Sequence, residues 1–376
     1  MKVLKDIGSI GIADVLGSGI TAIFWFGIAA LLMPEEYGEI QYFISIAGIA
    51  YLISIIGTAE VMSVYTAKKI PLQSTLLSIS LIAGVISSIT VLILFSKIDV
   101  SFLVIAYIIN DLSLGYILGK KLFSKYAKYV FTQKSLTFGI GILFYFMFGT
   151  DGIIFGMVLS YIHFLIMVLH IFKSTKINFP LLKSRIGFVG NNYLMKVSGI
   201  AKNNLDKIII VPIIGFESLG NYALALQAYA VFMMFSHVVY KYILPHDSVG
   251  EITTRIKIIA LCSSILIALL GVIITPSILP IVFPAYIEAV IAIQIISLAV
   301  IPSTITLILT SKLLGAENSK ILLTTRIIFA VTITALIIIL TPTFGIIGTT
   351  SAFVIAAVLQ AVILFTYYQA KLRNVE

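Results

Sequence analysis

Charged side chains are scarce in this sequence. Asp, Glu, Lys and Arg make up only 11% of its 376 residues, whereas 60% of the residues are hydrophobic. Because a soluble globular chain is about 25% charged, this chain has too few polar side chains to cover a water-exposed surface of its size. Lipid must therefore replace water around most of it. At roughly 20 apolar residues for each crossing of a bilayer, the length allows about a dozen spans.

Residues that build metal sites and covalent catalytic sites are also rare. The single cysteine, Cys262, lies in an apolar run and excludes a disulfide framework or a cysteine metal site. The four histidines are scattered, and no Walker motif, metal-spaced histidine cluster or nucleophile elbow occurs. We therefore expect no enzymatic activity, no catalytic residue, no metal, no cofactor and no nucleic-acid partner.

Uncharged runs, separated by charged residues or by Pro and Gly, predict twelve membrane-spanning segments. Their approximate limits are 9–32, 38–64, 73–95, 101–119, 128–148, 151–172, 186–213, 217–243, 254–276, 284–312, 320–341 and 344–369. Backbone polar groups in lipid must be satisfied within each segment, so these spans are expected to be helices. The predicted fold class is all-α and integral to the membrane, with the first run retained as a span.

The basic residues are distributed very unevenly between the two sides of the membrane. Of the 25 Lys and Arg residues, 21 fall on one side and only Lys97 on the other, while Lys196, Lys202 and Lys207 fall inside the seventh span. Loops rich in Lys and Arg stay in the cytoplasm. This bias predicts a multi-pass protein of the plasma membrane with its N- and C-termini in the cytoplasm.

Two short motifs recur in the two halves of the chain. Residues 33–39 and 215–221 share a Glu and a Gly at a constant offset of 182, and Gly152 and Gly345 each begin a Gly-Ile-Ile sequence near the start of the sixth and twelfth spans. Since six spans intervene, the repeat is parallel, as in several transporter folds. The predicted organisation is a six-helix lobe over 1–176, a basic cytoplasmic linker over 177–185 and a second six-helix lobe over 186–376, with substrate handled in a cleft between the lobes.

Polar side chains inside a span are informative because charge in hydrocarbon costs several kcal/mol unless it faces a cavity or a partner. At about 100° per residue, a polar stripe forms on the seventh span and is expected to face the cleft. We predict that the stripe binds an anionic substrate through Lys196, Lys202, Lys207, Asn192 and Asn203. The alternative is a structural network in which Asp206 pairs with Lys202 or Lys207, while Lys196 reaches toward the cytoplasmic interface.

Three acidic residues inside spans are candidates for ion coupling or for structural pairing. Asp206 extends the polar stripe, and Asp14 lies near the cytoplasmic end of the first span, where it can pair with a lysine of the seventh. Asp111 interrupts the fourth span near its middle. A coupling role and a helix-pairing role both remain open for Asp111.

Three stretches carry a resemblance to a known family, namely Ala30–Gly38, Asp206–Ala225 and Phe344–Gly348. They resemble motifs of the polysaccharide exporters, or O-antigen flippases, of the multidrug/oligosaccharidyl-lipid/polysaccharide exporter (MOP) superfamily. Ala30 departs from the family's frequent arginine, and twelve spans are fewer than the usual fourteen of lipid II flippases. The resemblance implies a monomeric alternating-access flippase in membrane lipid. Its substrate would be a polyprenyl-pyrophosphate-linked oligosaccharide, moved from the cytoplasmic to the outer leaflet, with H⁺ or Na⁺ as a coupling ion.

Two other functions compete with a flippase. An H⁺- or Na⁺-coupled multidrug or metabolite antiporter of the same superfamily is the first, although exporters of cationic drugs usually favour an acidic cleft and the seventh span carries three lysines. A membrane-embedded polysaccharide polymerase or ligase is the second. Such enzymes need a sizeable external loop with catalytic residues, and every loop of this sequence is short.

Overall fold

The computed structural model describes residues 2–197, 204–249, 251, 253–315 and 318–373, without the side chains of 2–15, 319 and 371–373. Within these ranges the chain is helical and contains no strand, which confirms an all-α integral membrane fold. The helices are α1 (Lys2–Leu31), α2 (Pro34–Ser54), α3 (Ala59–Ala67), α4 (Gln73–Phe95), α5 (Ile98–Gly119), α6 (Phe123–Phe148), α7 (Thr150–Ser160), a 3₁₀ turn (Ile162–Phe164), α8 (Leu165–Ser174), α9 (Phe179–Lys183), α10 (Ile186–Val197), α11 (Leu205–Phe232), α12 (Met234–Ser248), α13 (Thr254–Val282), α14 (Ile287–Leu298), α15 (Val300–Gly315) and α16 (Ser319–Arg373).

The described helices that can cross a membrane number eight by length and composition, or nine if the bent pair α2 and α3 is one span. Part of the difference from the twelve predicted spans arises because two successive spans continue as one helix with a kink between them. At 1.5 Å per residue, the 55 residues of α16 would reach about 80 Å, far beyond a hydrocarbon core of about 30 Å. The non-helical backbone of Gly345 divides α16 into two segments, and Gly215 divides α11 in the same way.

The chain divides into two compact units that each combine two stretches of sequence. Unit 1 comprises Met1–Ile28 and Phe43–Asn204, and unit 2 comprises Ala29–Tyr42 and Leu205–Glu376. These limits differ from the predicted lobes of 1–176 and 186–376, because α10 packs within unit 1 and the segment that joins α1 to α2 packs within unit 2. The predicted linker at 177–185 therefore lies inside unit 1.

A reciprocal glycine contact fixes the start of α2 in unit 2. A Cβ on Gly38 would lie 1.9 Å from the carbonyl oxygen of Phe216, and a Cβ on Gly220 would lie 1.8 Å from the carbonyl oxygen of Pro34. The two glycines are 182 residues apart, and so are their partners Pro34 and Phe216, which is the offset that relates the two repeated motifs. Only glycine permits backbones to approach so closely. The two copies of the repeated motif therefore pack against each other.

The second repeated motif aligns differently from the sequence prediction. Gly149 and Gly345 both have positive φ, at 68° and 55°. Each is followed three residues later by a second glycine, Gly152 and Gly348. A Cβ on Gly152 would lie 2.2 Å from the carbonyl oxygen of Phe144, and a Cβ on Gly348 would lie 2.3 Å from that of Leu340. Gly345 thus corresponds to Gly149 and Gly348 to Gly152, so the predicted pairing of Gly152 with Gly345 is wrong by three residues.

Candidate ion-pair site in the membrane spans

A break in a transmembrane helix shapes the site in unit 1. Helices α2 and α3 meet at 41° across the residues between Ser54 and Ala59. A Cβ on Gly57 would lie 2.6 Å from the Cβ of Leu76, so the break sits tightly against α4. Thr58 starts α3 anew, since its hydroxyl accepts a hydrogen bond from the backbone N–H of Val61. The break leaves the first N–H groups of α3 without helical partners.

Asp111 of α5 satisfies one of these groups. Its Oδ2 accepts a hydrogen bond from the backbone N–H of Ala59 at 3.0 Å. The side chain of Tyr51 lies beside the same carboxylate and interacts with it. Because a helix N-terminus carries partial positive charge, the arrangement suits an ionised carboxylate. Asp111 therefore ties α5 to the interrupted helix.

Lys196 brings the last turn of α10 to the same carboxylate. Its Nζ lies 3.2 Å from Oδ1 of Asp111 and 3.7 Å from Oε1 of Glu60 on α3. One turn earlier, the hydroxyl of Tyr193 donates a 2.6 Å hydrogen bond to the carbonyl of Ile53 at the end of α2. These contacts hold α10 in unit 1. We call Glu60, Asp111 and Lys196 the acid–lysine triad.

The acid–lysine triad contains two carboxylates and one ammonium group. The side chains of Lys196 and Asp111 are 22% and 18% exposed, whereas that of Glu60 is 61% exposed. With all three groups ionised, the triad has one negative charge in excess. The predicted stripe lysine thus lies in an ion pair, and its partner is Asp111, a residue that the sequence analysis treated separately.

The other predicted stripe residues are not part of the triad. Asn192 donates its Nδ2 hydrogen bond to the carbonyl of Phe188 on its own helix, at 2.8 Å. Lys207 is half-buried in unit 2. Lys202 and Asn203 lie outside the described residues, and Asp14 lies on α1 with its side chain outside the description. Among the predicted site residues, the described geometry therefore brings Lys196 and Asp111 into an ion pair.

Asp206 forms a separate buried pair in unit 2. Its Oδ2 accepts a 3.1 Å hydrogen bond from the hydroxyl of Tyr222, and only 4% of the residue is exposed. Its Oδ1 has no hydrogen-bond partner among the described residues. No described lysine lies within ion-pair distance of this carboxylate, although Lys207 interacts with it electrostatically. Because Lys202 lies outside the described residues, the alternative network of Asp206 with Lys202 or Lys207 stays a prediction. Asp206, in the first turn of α11, is thus tied to Tyr222 sixteen residues later on the same helix.

Two more charged residues lie within or beside the spans. Glu60, which the sequence places toward the cytoplasmic end of the second span, belongs to the triad, and the Gly57-Thr58 sequence two residues before it ends one helix and caps the next. Lys134 was counted with the cytoplasmic loops but lies about 16 Å along α6 from Phe123. It is half-buried, and a Cβ on Gly17 would lie 3.4 Å from its Cγ. The described part of the chain holds no ion-pair partner for Lys134.

A further cluster follows the eighth predicted span, at the start of the connection to α13. Asp247 accepts hydrogen bonds from Lys257, from the hydroxyl of Thr253 at 2.9 Å and from the hydroxyl of Ser311 at 2.6 Å. Burial alone would raise the pKa of the Asp247 carboxyl, but the hydrogen bonds, first that from Lys257, hold the pKa below its usual range. The cluster joins α12, α13 and α15. Its groups bond one another fully, which indicates a structural role.

Metal chemistry has no support in the described ranges. Within them, no group of three or more His, Cys, Asp or Glu side chains is placed to hold a metal ion. The triad contains only two carboxylates, and its ammonium group repels a cation. In this arrangement the triad pairs its own charges.

Comparisons with known proteins support the architecture. No protein-family model and no curated protein matches the chain. Among solved structures, the lipid II flippase MurJ in an inward closed conformation matches with a TM-score of 0.77 and 13% identity, over 96% of this chain and 87% of that one. The chain has the fold of MOP superfamily transporters. Two more structures of that superfamily agree with this fold.

The first of these two is a multidrug resistance MATE family transporter in an inward-facing conformation. It matches with a TM-score of 0.73 and 14% identity, over 96% of this chain and 95% of that one. The second is a MOP superfamily transporter from Pyrococcus furiosus, described by a reversed polarity of its binding pocket, with a TM-score of 0.60, 14% identity and coverage of 98% and 95%. At such identities the similarity establishes the MOP fold and leaves the substrate open.

Proposed function

We propose that this protein is a membrane transporter, specifically a flippase that moves a polyprenyl-pyrophosphate-linked oligosaccharide from the cytoplasmic to the outer leaflet by alternating access. It acts as a monomer in the plasma membrane with both termini in the cytoplasm. The MOP fold supports a transporter, and a flippase is among the proteins that share that fold. The motif resemblance to O-antigen flippases supports the sugar-linked lipid as substrate.

The observation that carries the proposal is the pairing of Lys196. A lysine in a membrane span needs an anionic partner, and Lys196 has Asp111 at 3.2 Å and Glu60 at 3.7 Å. Asp111 also accepts the Ala59 N–H through its other oxygen, and Glu60 is largely exposed, so neither carboxylate depends on the lysine alone. The lysine is therefore the exchangeable member of the triad. A substrate pyrophosphate replaces the carboxylates as its counter-ion.

A second lysine adds to the argument for an anionic substrate. Lys134 lies deep in α6, and a lysine within a span marks a substrate or ion path by default. Pyrophosphate carries more than one negative charge, so it is attracted by several ammonium groups. Lys134 and Lys196 both belong to unit 1. Their charges favour unit 1 as the part of the protein that binds the pyrophosphate.

Complementation of a flippase-deficient strain tests the proposal. We expect the wild-type chain to restore surface polysaccharide and Lys196→Gln to lower it on the order of tenfold, the value of one hydrogen bond to a charged group. Lys176→Gln is the matched control, because Lys176 is exposed and lies in the connection between α8 and α9. Normal complementation by Lys196→Gln, at equal abundance in the membrane, contradicts the assignment.

A coupled multidrug or metabolite antiporter is the second candidate. The buried carboxyl of Asp206, which has one oxygen without a described partner, favours it because such a group can take up and release a proton. In that case Asp206→Asn abolishes export of a cationic dye from cells, and collapse of the proton gradient has the same effect in the wild type. A flippase predicts restored polysaccharide and no dye export.

A further inference from the structure

A basic groove opens in unit 1 at the start of α6. Its volume is about 780 Å³. It lies between the first turns of α6 and the segment of the 3₁₀ turn and α8. The lining residues are Lys121, Leu122, Phe123, Ser124, Lys125, Lys128, Tyr129, Thr132, His163 and Ile166. None of the residues named above as parts of the ion-pair site lines this groove, so it is a separate site.

The charge of the basic groove has one sign. Lys121, Lys125 and Lys128 are exposed, and the lining contains no Asp or Glu. Lys125, Lys128 and Thr132 follow one another at helical spacings of three and four, so they form one face of α6. The groove therefore presents three ammonium groups, with a hydroxyl next to them on the same helix face. This composition selects a phosphate-type anion.

The walls of the basic groove are held in place by aromatic contacts. The ammonium of Lys125 lies over the ring of Tyr129, 5.7 Å from its centroid. That ring packs on the imidazole of His163 with centroids 5.3 Å apart. The Nδ1 of His163 is 2.9 Å from the carbonyl oxygen of Ser160, to which it donates a hydrogen bond. Two helices thus meet through a fixed aromatic wall below the lysines.

The floor of the basic groove continues into an apolar surface. Ile166 lines the groove and is 67% exposed, and Ile162 and Leu169 beside it are 57% and 62% exposed. These residues belong to the span from Thr150 to Ser174, whose exposed apolar face meets lipid tails. A ligand in this position therefore meets ammonium groups at one end and an aliphatic surface at the other. An amphiphile fits such a site better than a free anion.

We propose that the basic groove binds an anionic phospholipid. Its phosphate headgroup contacts Lys121, Lys125 and Lys128, and its acyl chains lie along Ile162, Ile166 and Leu169. Basic pockets between transmembrane helices are suited to anionic headgroups, and each lysine near such a surface strengthens the attraction. The lipid would contact both α6 and α8.

Lipid binding to the purified full chain tests this site. Native mass spectrometry measures retention of phosphatidylglycerol against phosphatidylcholine added at equal concentration, and a competition arm adds inorganic phosphate. The test variant is the double substitution Lys125→Gln and Lys128→Gln. The matched control is Lys173→Gln and Lys176→Gln, which removes the same charge from two exposed residues of unit 1 outside the groove.

We expect the wild type and the control to retain more phosphatidylglycerol than phosphatidylcholine. In the groove variant, the ratio of the two should fall on the order of tenfold. Three results overturn the proposal. The first is equal retention of both lipids by the wild type. The second is an equal loss in the control, which indicates attraction by net charge alone. The third is displacement of the lipid by inorganic phosphate at the lipid's own concentration, which assigns the groove to a free anion.

Discussion

The ammonium nitrogen of Lys196 lies 3.2 Å from the carboxylate of Asp111, although the two residues are 85 positions apart in the sequence. The contact joins the last turn of α10 to the middle of α5. Ala59, at the start of α3, donates to the other oxygen of the same carboxylate. One aspartate therefore connects three helices of unit 1. The pair explains why α10 belongs to that unit.

The first prediction concerns the energy of this pair. Lys196→Met and Asp111→Asn should each lower the unfolding temperature of the purified protein, because each leaves a partly buried charge without its partner. The two effects should not add, and we expect a coupling free energy of about 0.5–3 kcal/mol, as for residues in contact. Thermal unfolding of the two single variants and the double variant measures it. Additive effects contradict a direct interaction.

The second prediction concerns the reciprocal glycine contact of unit 2. Gly220→Ala should strongly reduce the yield of folded protein, since its Cβ would lie 1.8 Å from the carbonyl oxygen of Pro34. Gly139→Ala is the matched control, because no atom lies within 4 Å of its added Cβ and alanine favours a helix over glycine by about 1 kcal/mol. Size-exclusion chromatography in detergent compares the two. A monodisperse, heat-stable Gly220→Ala protein is incompatible with the contact.

The third prediction concerns pH and the Asp247 cluster. Hydrogen bonds, first from Lys257, hold the pKa of Asp247 below its ordinary value of 3.8, so the ionised form stabilises the folded state. This stabilisation is present above the unfolded pKa and is lost as the pH falls through the lower folded pKa. Asp247→Asn should therefore lower the unfolding temperature at neutral pH but much less near pH 3. A difference that persists unchanged at acidic pH contradicts the ionised pair.

Much of the helical pattern is predictable because lipid imposes it locally. Uncharged runs of about 20 residues locate the spans whatever their neighbours are. The break before Ala59 is less visible, since the second predicted span, 38–64, contains no Pro. It depends on Gly57 packing against α4 and on Asp111 accepting from the new helix start. These are contacts with residues remote in sequence, which local patterns do not encode.

The candidate site shows the same limit. Lys196 and Asp111 each stand out as charges within spans, but their pairing depends on how α5 and α10 pack. A helical wheel assigns Lys196 to a stripe with Lys207, whereas the two residues belong to different units. Lys134 was missed for a related reason. A count of loop charges assigns every lysine near a basic loop to that loop, but α6 starts five residues earlier than the span predicted from 128.

The central claim is that Lys196 exchanges its carboxylate partners for the pyrophosphate of a lipid-linked sugar. Its most direct test is flipping by purified protein in proteoliposomes, with a polyprenyl-pyrophosphate oligosaccharide labelled on the sugar and a membrane-impermeant enzyme that attacks only exposed sugar. We expect flipping by the wild type and by Lys176→Gln, and a rate lower on the order of tenfold for Lys196→Gln. Equal rates for Lys196→Gln and the wild type, at equal reconstituted amounts, would contradict the account.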